Sequence, residues 1–334
     1  MVRAECAPWI RSKVMSGVEI ALLVASCVLV LVAGVIFVGG YITYRMAFYN
    51  NPKKNKIDPY TYIKDNEEPR NLFSKSLIDR ILQIPYKDIY TESYDGLRLR
   101  ARLYMVDENA PFAIQFHGYK STPMIDFSGG GEFVMKMGVN VIMVDQRACG
   151  ESEGRTISFG YHERRDVLSW VEYVSNNYGK DRKILLFGVS MGAATVIIAA
   201  GCGLPENVVG VLADCPCSST KEIVTKVIYD MKLPGKLLYP LVRIGAKIYG
   251  KFDPNEADAK MLVSGTKIPI LLIHGEGDNF VPCDMSRAIA SASSLVELHT
   301  FPEAPHGLSF VYDTERYTRI ADEFCRRCLS DIAT

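Results

Sequence analysis

In the stretch KILLFGVSMGAAT, Lys183 to Thr195, Ser190 stands two residues from a glycine on either side, Gly188 and Gly192. An apolar run leads into it and a helix-forming run leads away, so the serine falls at the corner between a strand and a helix. A hydroxyl held on such a sharp turn requires close backbone approach on both sides, which residues without a Cβ permit. A serine presented this way can attack an acyl carbon, provided a base takes its proton and an acid orients that base.

The chain has five histidines. His117 precedes Gly118 at the end of an apolar run, His162 opens a helical pattern, His274 ends a strand-like run and His299 lies inside LVELHTF. His306, in FPEAPHGLSF, follows the last strand-like run and precedes the final helix, where a base is expected to meet the serine. Asp278, in HGEGDNFVP, sits in the loop after the preceding strand, and the order Ser190, Asp278, His306 suits a triad built on an open parallel sheet. Asp214, at the end of VVGVLAD, competes as the acid because side chains after that strand reach the same histidine; Glu276 is a third carboxylate in the region. Acyl transfer also needs donors for the developing oxyanion. The backbone N–H of Met191, directly after the serine, is one candidate, and that of Tyr119, in the HGYKS loop, is the second; the tyrosine ring is also placed to line a pocket.

From about Tyr86 strand-like and helical segments alternate. YKDIYTESYDGLRLRARLYM reads as a hairpin turning at Asp95-Gly96. FAIQF, VNVIMV, KILLFG, VVGVLA, IPILLI and LVELHTF follow as short apolar runs, several without alternation, as befits strands covered on both faces. Between them Val167, Val171, Val174 and Tyr178 recur at helical spacing. The alternation implies an α/β fold: a mostly parallel central sheet with helices on both faces. A segment at about 217–267 is long for a plain crossover. It reads as two or three helices broken at Pro234, Gly235 and Pro240, a helical cap inserted before the strand that precedes Asp278.

The N-terminal part has a different character. Residues 20–42 carry no charge, and at about 1.5 Å per residue they match a hydrocarbon core of about 30 Å. The chain is therefore divided into a tail (1–17), a transmembrane anchor (18–42), a juxtamembrane linker (43–85) and a catalytic domain (86–334). The run is too long for the apolar region of a signal peptide. Arg3, Arg11 and Lys13 precede the span, and Arg45, Lys53, Lys54 and Lys56 follow it, a balance that slightly favours a cytoplasmic catalytic domain. The odd number of cysteines, nine, points the same way, since thiols stay reduced in the cytosol. Neither Cys215 with Cys217 nor Cys325 with Cys328 has the companions of a zinc site. With 38 basic and 38 acidic residues the chain carries no net charge, so no nucleic-acid partner is expected. The expected partners are a small-molecule acyl substrate and a lipid bilayer held through the N-terminal helix.

The motifs FHGYKST, VDQRACGESEG, FGVSMGAAT, HGEGDNFVP and APHG, in this order over about residues 86–330, resemble the landmarks of the α/β-hydrolase superfamily, and most nearly its serine-aminopeptidase-like, or monoacylglycerol-lipase-like, branch. The resemblance implies that Ser190, Asp278 and His306 form the triad, that Tyr119 and Met191 supply the oxyanion donors, and that Arg147 and Ser152 are structural. It implies a serine hydrolase needing neither metal nor organic cofactor, acting on an ester, thioester or amide. HGYK stands where one lipase group has HGGG, which weakens any transfer from that group. Because fold does not dictate function, a catalytically silent, membrane-tethered binding protein on the same fold, or a serine peptidase, is the alternative.

Overall fold

The computed structural model describes residues 15–63 and 68–330. Its strands are β1 (Lys87–Glu92), β2 (Arg98–Tyr104), β3 (Phe112–Phe116), β4 (Asn140–Asp145), β5 (Ile184–Val189), β6 (Val208–Asp214), β7 (Ile270–Gly275) and β8 (Val296–Phe301). The helices are α1 (Gly17–Ala47), α2 (Pro69–Ile81), α3 (Pro123–Asp126), α4 (Ser128–Lys136), α5 (Glu163–Tyr178), α6 (Met191–Cys202), α7 (Thr220–Asp230), α8 (Gly235–Gly245), α9 (Ala259–Leu262), α10 (Asp284–Ala290), α11 (Ser309–Tyr312) and α12 (Thr314–Leu329).

The strands form one sheet in the order β1-β2-β4-β3-β5-β6-β7-β8. β2 pairs antiparallel with both of its neighbours, and the pairs from β4 to β8 are parallel. The hairpin turns where Gly96 takes a φ of 81°, a conformation glycine adopts without steric cost. β3, β4 and β7 are buried at every position, which is why their sequences do not alternate. One face of the sheet is covered by α5 and α6, with Val167, Trp170, Val171 and Val174 in the core. The other is covered by α4 and α12 through Val134, Ala321 and Phe324. Val167, Val171 and Val174 are the helical positions expected from their spacing.

Two stretches differ from their sequence patterns. Pro240 lies inside α8 and does not break it. It sits two turns or less from the helix start and on an exposed position, so the single backbone bond it removes leaves a carbonyl open to water. Residues 43–63 and α2, expected as part of a linker, pack against the body. Tyr44 and Phe48 are buried, the Phe48 ring meets Phe159 and Phe252 edge-on at 6.1 and 5.1 Å, and Asn50 donates to the Ala148 carbonyl at 2.8 Å. On α2, Leu77, Ile78 and Ile81 are buried. Their contacts come from distant segments, which a local search for periodicity does not register.

α1 divides into two parts. Gly17–Val35 is exposed throughout, and at about 1.5 Å per residue it is about 28 Å long. From Ile36 onward one face, through Gly39, Gly40, Thr43, Tyr44 and Ala47, is partly or fully covered. Gly40 lies so close to Gly245 of α8 that a Cβ on Gly245 would fall 2.1 Å from the Gly40 carbonyl oxygen.

Candidate active site

Ser190 occupies the single residue between β5 and α6 and has φ 54° and ψ −113°. That positive φ is costly for a non-glycine residue and persists only where the surroundings enforce it. Here the enforcement is visible. A Cβ at Gly188 would lie 2.4 Å from the Gly192 backbone, and one at Gly192 would lie 1.8 Å from the Phe116 carbonyl oxygen at the end of β3. The Ser190 N–H is fixed by the Asp214 carbonyl at 2.8 Å. The two glycines thus let strand, turn and helix close on one another with the hydroxyl at the corner.

His306 reaches this corner from the loop between β8 and α11. Its Nε2 is 2.9 Å from Ser190 Oγ, and its Nδ1 is 2.6 Å from Asp278 Oδ2. An ionised carboxylate can only accept, so Nδ1 carries the proton and Nε2 is left to accept from the serine. Phe280 stands edge-on to the imidazole at 5.2 Å.

Asp278 is held from both sides. Oδ1 accepts from the N–H groups of Phe280 and Val281 at 2.9 and 2.8 Å, while Oδ2 also faces His274 Nε2 at 3.2 Å. Burial works against its charge, but the hydrogen bonds with His274, His306 and the Val281 amide outweigh it, and the carboxyl stays well below the usual range. His274 is fully buried, and its Nε2 meets a second acceptor, the Val281 carbonyl, at 2.8 Å. Two acceptors require the proton on Nε2, and Nδ1 then accepts from Ser286 Oγ at 2.7 Å. This supporting role for His274 was not read from the sequence; its position four residues before Asp278, in HGEGD, is the signal that carries it.

The other residues considered take other places. His117 is buried and braces the loop after β3, donating from Nδ1 to the Gly118 carbonyl at 2.8 Å and accepting the Gln146 N–H at 3.1 Å. His162 Nδ1 pairs with the Tyr94 hydroxyl at 2.5 Å, and His299 lies in β8. Glu276 pairs with Arg287 at 3.0 Å. Asp214 is buried beside the site, and its Oδ1 has no hydrogen-bond partner among the described residues. Burial, opposed by nearby His274 and by the Tyr317 hydroxyl, pushes its carboxyl up to about 6. Arg147 is buried between Asp166, at 2.6 and 2.7 Å, and Asp95, at 3.0 and 3.1 Å. Ser152 Oγ is tied to the backbone of Asp145.

Among the described residues the N–H groups of Tyr119 and Met191 donate to no protein acceptor, whereas that of Gly118 is taken by Asp126 Oδ2 at 2.6 Å. The Tyr119 ring stacks on Phe159 at 5.0 Å, and its hydroxyl donates to the Ala47 carbonyl at the end of α1 at 3.0 Å. A cavity of about 170 Å³ adjoins the site at Val189 and Gly307 and is lined by Phe133, Phe187, Leu212 and Phe310. Among the described residues, the one group of three side chains able to hold a metal is Cys215, Asp278 and His306, with ligating atoms within 4.8 Å of one another. There the imidazole and carboxylate already engage each other, and burial raises the Cys215 thiol well above its ordinary value. A metal would have to break that pair and strip the thiol of its proton.

A profile of the prolyl oligopeptidase family matches residues 126–331, more than half of the chain. Among curated proteins, the uncharacterized protein YqkD of Bacillus subtilis is 26% identical over 198 residues, 57% of this chain and 63% of the relative. The thiohydrolase aneE of Aspergillus aculeatus is 33% identical over 118 residues, 34% of this chain and 37% of the relative. The chain thus covers less than two thirds of the length of either relative. The structure of an esterase from Pyrococcus furiosus is similar with a TM-score of 0.62 at 24% identity, over 84% of this chain and 99% of that one, a likeness of fold. The family matched is not the serine-aminopeptidase-like branch that the motifs resemble; what the two share is the superfamily. The eight-stranded, mostly parallel sheet and the family match together make this chain a member of the prolyl oligopeptidase family, within the α/β-hydrolase superfamily.

Proposed function

We propose that the chain is a membrane-anchored serine hydrolase that cleaves carboxylic esters or thioesters through an acyl-enzyme on Ser190. The observation that carries this reading is the continuous relay from Ser190 Oγ to His306 Nε2 at 2.9 Å and from His306 Nδ1 to Asp278 Oδ2 at 2.6 Å. As Ser190 Oγ bonds to the acyl carbon, its proton passes to Nε2, and the carbonyl oxygen takes the negative charge. The N–H groups of Tyr119 and Met191 stabilise that oxyanion. Collapse expels the alcohol or thiol, which takes the proton from Nε2. Water then attacks the acyl-enzyme with His306 again as base, releasing the acid and restoring the serine. Asp278 keeps the proton on Nδ1 throughout and stabilises the imidazolium.

The cavity beside Val189 and Gly307, where Phe133, Phe187, Leu212 and Phe310 stand with the polar Arg70 and Asp126, offers room for the acyl side of the substrate. The names of two similar proteins, a thiohydrolase and an esterase, agree with acyl-transfer chemistry. The exposed 28 Å or so of α1 supports a single membrane span. The cytoplasmic side is favoured by the basic residues after the span and by the free thiols of all described cysteines.

A fluorophosphonate probe tests the chemistry. Wild type should be labelled and Ser190→Ala, folded by circular dichroism, should not. A folded wild type that resists the probe overturns the reading. Turnover of p-nitrophenyl esters of increasing chain length, set beside aminoacyl amides, defines the acyl preference.

A further inference from the structure

α8 carries an apolar row at Leu237, Leu241 and Ile244, spacings of four and three that fall on one helix face, and Ile248 follows in the helical turn after it. The middle of this row meets α1: Leu241 packs at Gly39 and Ile244 at Gly40. The ends are left open, with Leu237 75% and Ile248 41% exposed. In the α7–α8 turn Met231 and Leu233 are exposed as well.

α8 and the helical turn after it pack against about two turns of α1, from Phe37 to Tyr44. Leu241 meets Gly39, Gly245 meets Gly40, and Tyr249, in the helical turn directly after α8, meets Tyr41 and Tyr44 and donates to the Phe37 carbonyl at 3.0 Å. This contact lies just past Ile36, where α1 first touches the body, and the stretch before it matches the hydrocarbon thickness. α8 is therefore held against α1 at the level where the span leaves the hydrocarbon. The face of α8 turned to the body is apolar and buried through Tyr239 and Val242, and along a polar flank Arg243, with Lys247 just after the helix, pairs with Asp253 at 2.7 and 2.8 Å. Lys232 and Lys236 are exposed beside Leu233 and Leu237, a pairing of cation and apolar side chain suited to lipid phosphate above acyl chains.

We propose that α8 and the α7–α8 turn lie in the bilayer surface beside the exit of α1, inserting Leu233, Leu237 and Ile248 among the lipids and fixing the hydrolase body against the membrane at a second point. The proposal rests on reading α1 as a membrane span, and its occupant is the lipid bilayer. It gives Gly40 and Gly245 a purpose beyond local packing, because their close approach locks the interfacial helix to the spanning one.

The test uses the full chain in phosphatidylcholine–phosphatidylglycerol vesicles with brominated acyl chains. The native tryptophans are Trp9 and Trp170, the latter fully buried, so reporters are placed singly in a Trp9→Phe background. Leu31→Trp on α1, Leu237→Trp on α8 and Glu172→Trp on α5 all substitute exposed positions. Leu237→Trp emission should fall by about twofold with bromines near the headgroup end of the chains, the depth of an interfacial helix. Leu31→Trp should be quenched by deep bromines, and Glu172→Trp by neither. If Leu31→Trp is quenched and Leu237→Trp is not, the surface helix is refuted while the span stands. Quenching of neither refutes the span and the proposal with it. Leu237→Trp emission that ignores bromine but shifts with protein density in the vesicle would assign the face to a second copy of the chain and overturn the proposal.

Discussion

Replacing Asp278 by asparagine separates its proposed role from that of the other carboxylates. Oδ1 accepts two backbone N–H groups, at 2.9 and 2.8 Å, whereas Oδ2 faces two imidazole nitrogens, at 2.6 and 3.2 Å. An amide NH₂ at the Oδ1 position would oppose two donors that cannot change, leaving buried groups unsatisfied at about 1–3 kcal/mol each. At the Oδ2 position it opposes a single donor, the His274 Nε2–H, which keeps the Val281 carbonyl as acceptor, so the amide oxygen stays at Oδ1 and the NH₂ group turns toward His306. Nδ1 must then accept, the ring proton moves to Nε2, and Ser190 faces a donor in place of a base. A wrong-tautomer imidazole lowers kcat by about 10⁴-fold, equivalent to about 5.5 kcal/mol of barrier at about 1.36 kcal/mol per tenfold. The assays are ester turnover and the rate of fluorophosphonate labelling, with thermal melting to show that Asp278→Asn folds. The residual rate should climb with pH as hydroxide replaces the missing base. Turnover within about tenfold of wild type, alongside a collapse in Asp214→Asn, would refute the assignment and give the role to Asp214.

Asp214 itself should govern stability more than rate. Its carboxyl rises to about 6 in the fold, with burial as the main cause, against about 3.9 in an unfolded chain. The native state therefore holds this proton more tightly, and the wild type loses stability as pH rises between those two values. Asp214→Asn does not titrate, so its stability relative to wild type should improve by up to about 3 kcal/mol between about pH 4 and about pH 7. Urea melts at the two pH values measure this, and a pH-independent difference would refute it. Arg147→Met should strand the buried Asp166 carboxylate, at a cost of about 3–5 kcal/mol. At roughly 2–4 °C per kcal/mol the melting temperature should drop by about 10 °C. Arg147→Lys should recover less than half of the loss, because an ammonium cannot satisfy Asp166 and Asp95 with a planar fork. Full recovery would show that charge alone matters there.

Much of the architecture was legible because strands buried on both faces and helices buried on one write their burial into the local pattern. FAIQF and the valines of α5 are examples. The glycines around Ser190 were legible for a similar reason: a corner that tight excludes every other side chain on both sides. Residues 43–63 and α2 escaped because their partners, Phe159, Phe252 and α4, lie far away in the chain. Pro240 misled because the cost of a helical proline depends on where in the helix it falls and on what faces the orphaned carbonyl.

By itself the sequence determined the alternating α/β plan, the apolar N-terminal helix and the short set of residues from which a serine relay has to be drawn. It left Asp278, Asp214 and Glu276 in competition, because chain order says which loops adjoin but not which carboxylate meets the imidazole. Tertiary structure decided that contact: Asp278 Oδ2 lies 2.6 Å from His306 Nδ1, while Glu276 turns to Arg287 and Asp214 Oδ1 finds no partner among the described residues. It also decided that α1 is locked to α8 at Gly40 and Gly245. The reason is the same in both cases. Periodicity records the environment of a residue within a turn or two of its own backbone, whereas a hydrogen bond between residues far apart depends on angles and separations set only when the whole sheet and its helices are packed.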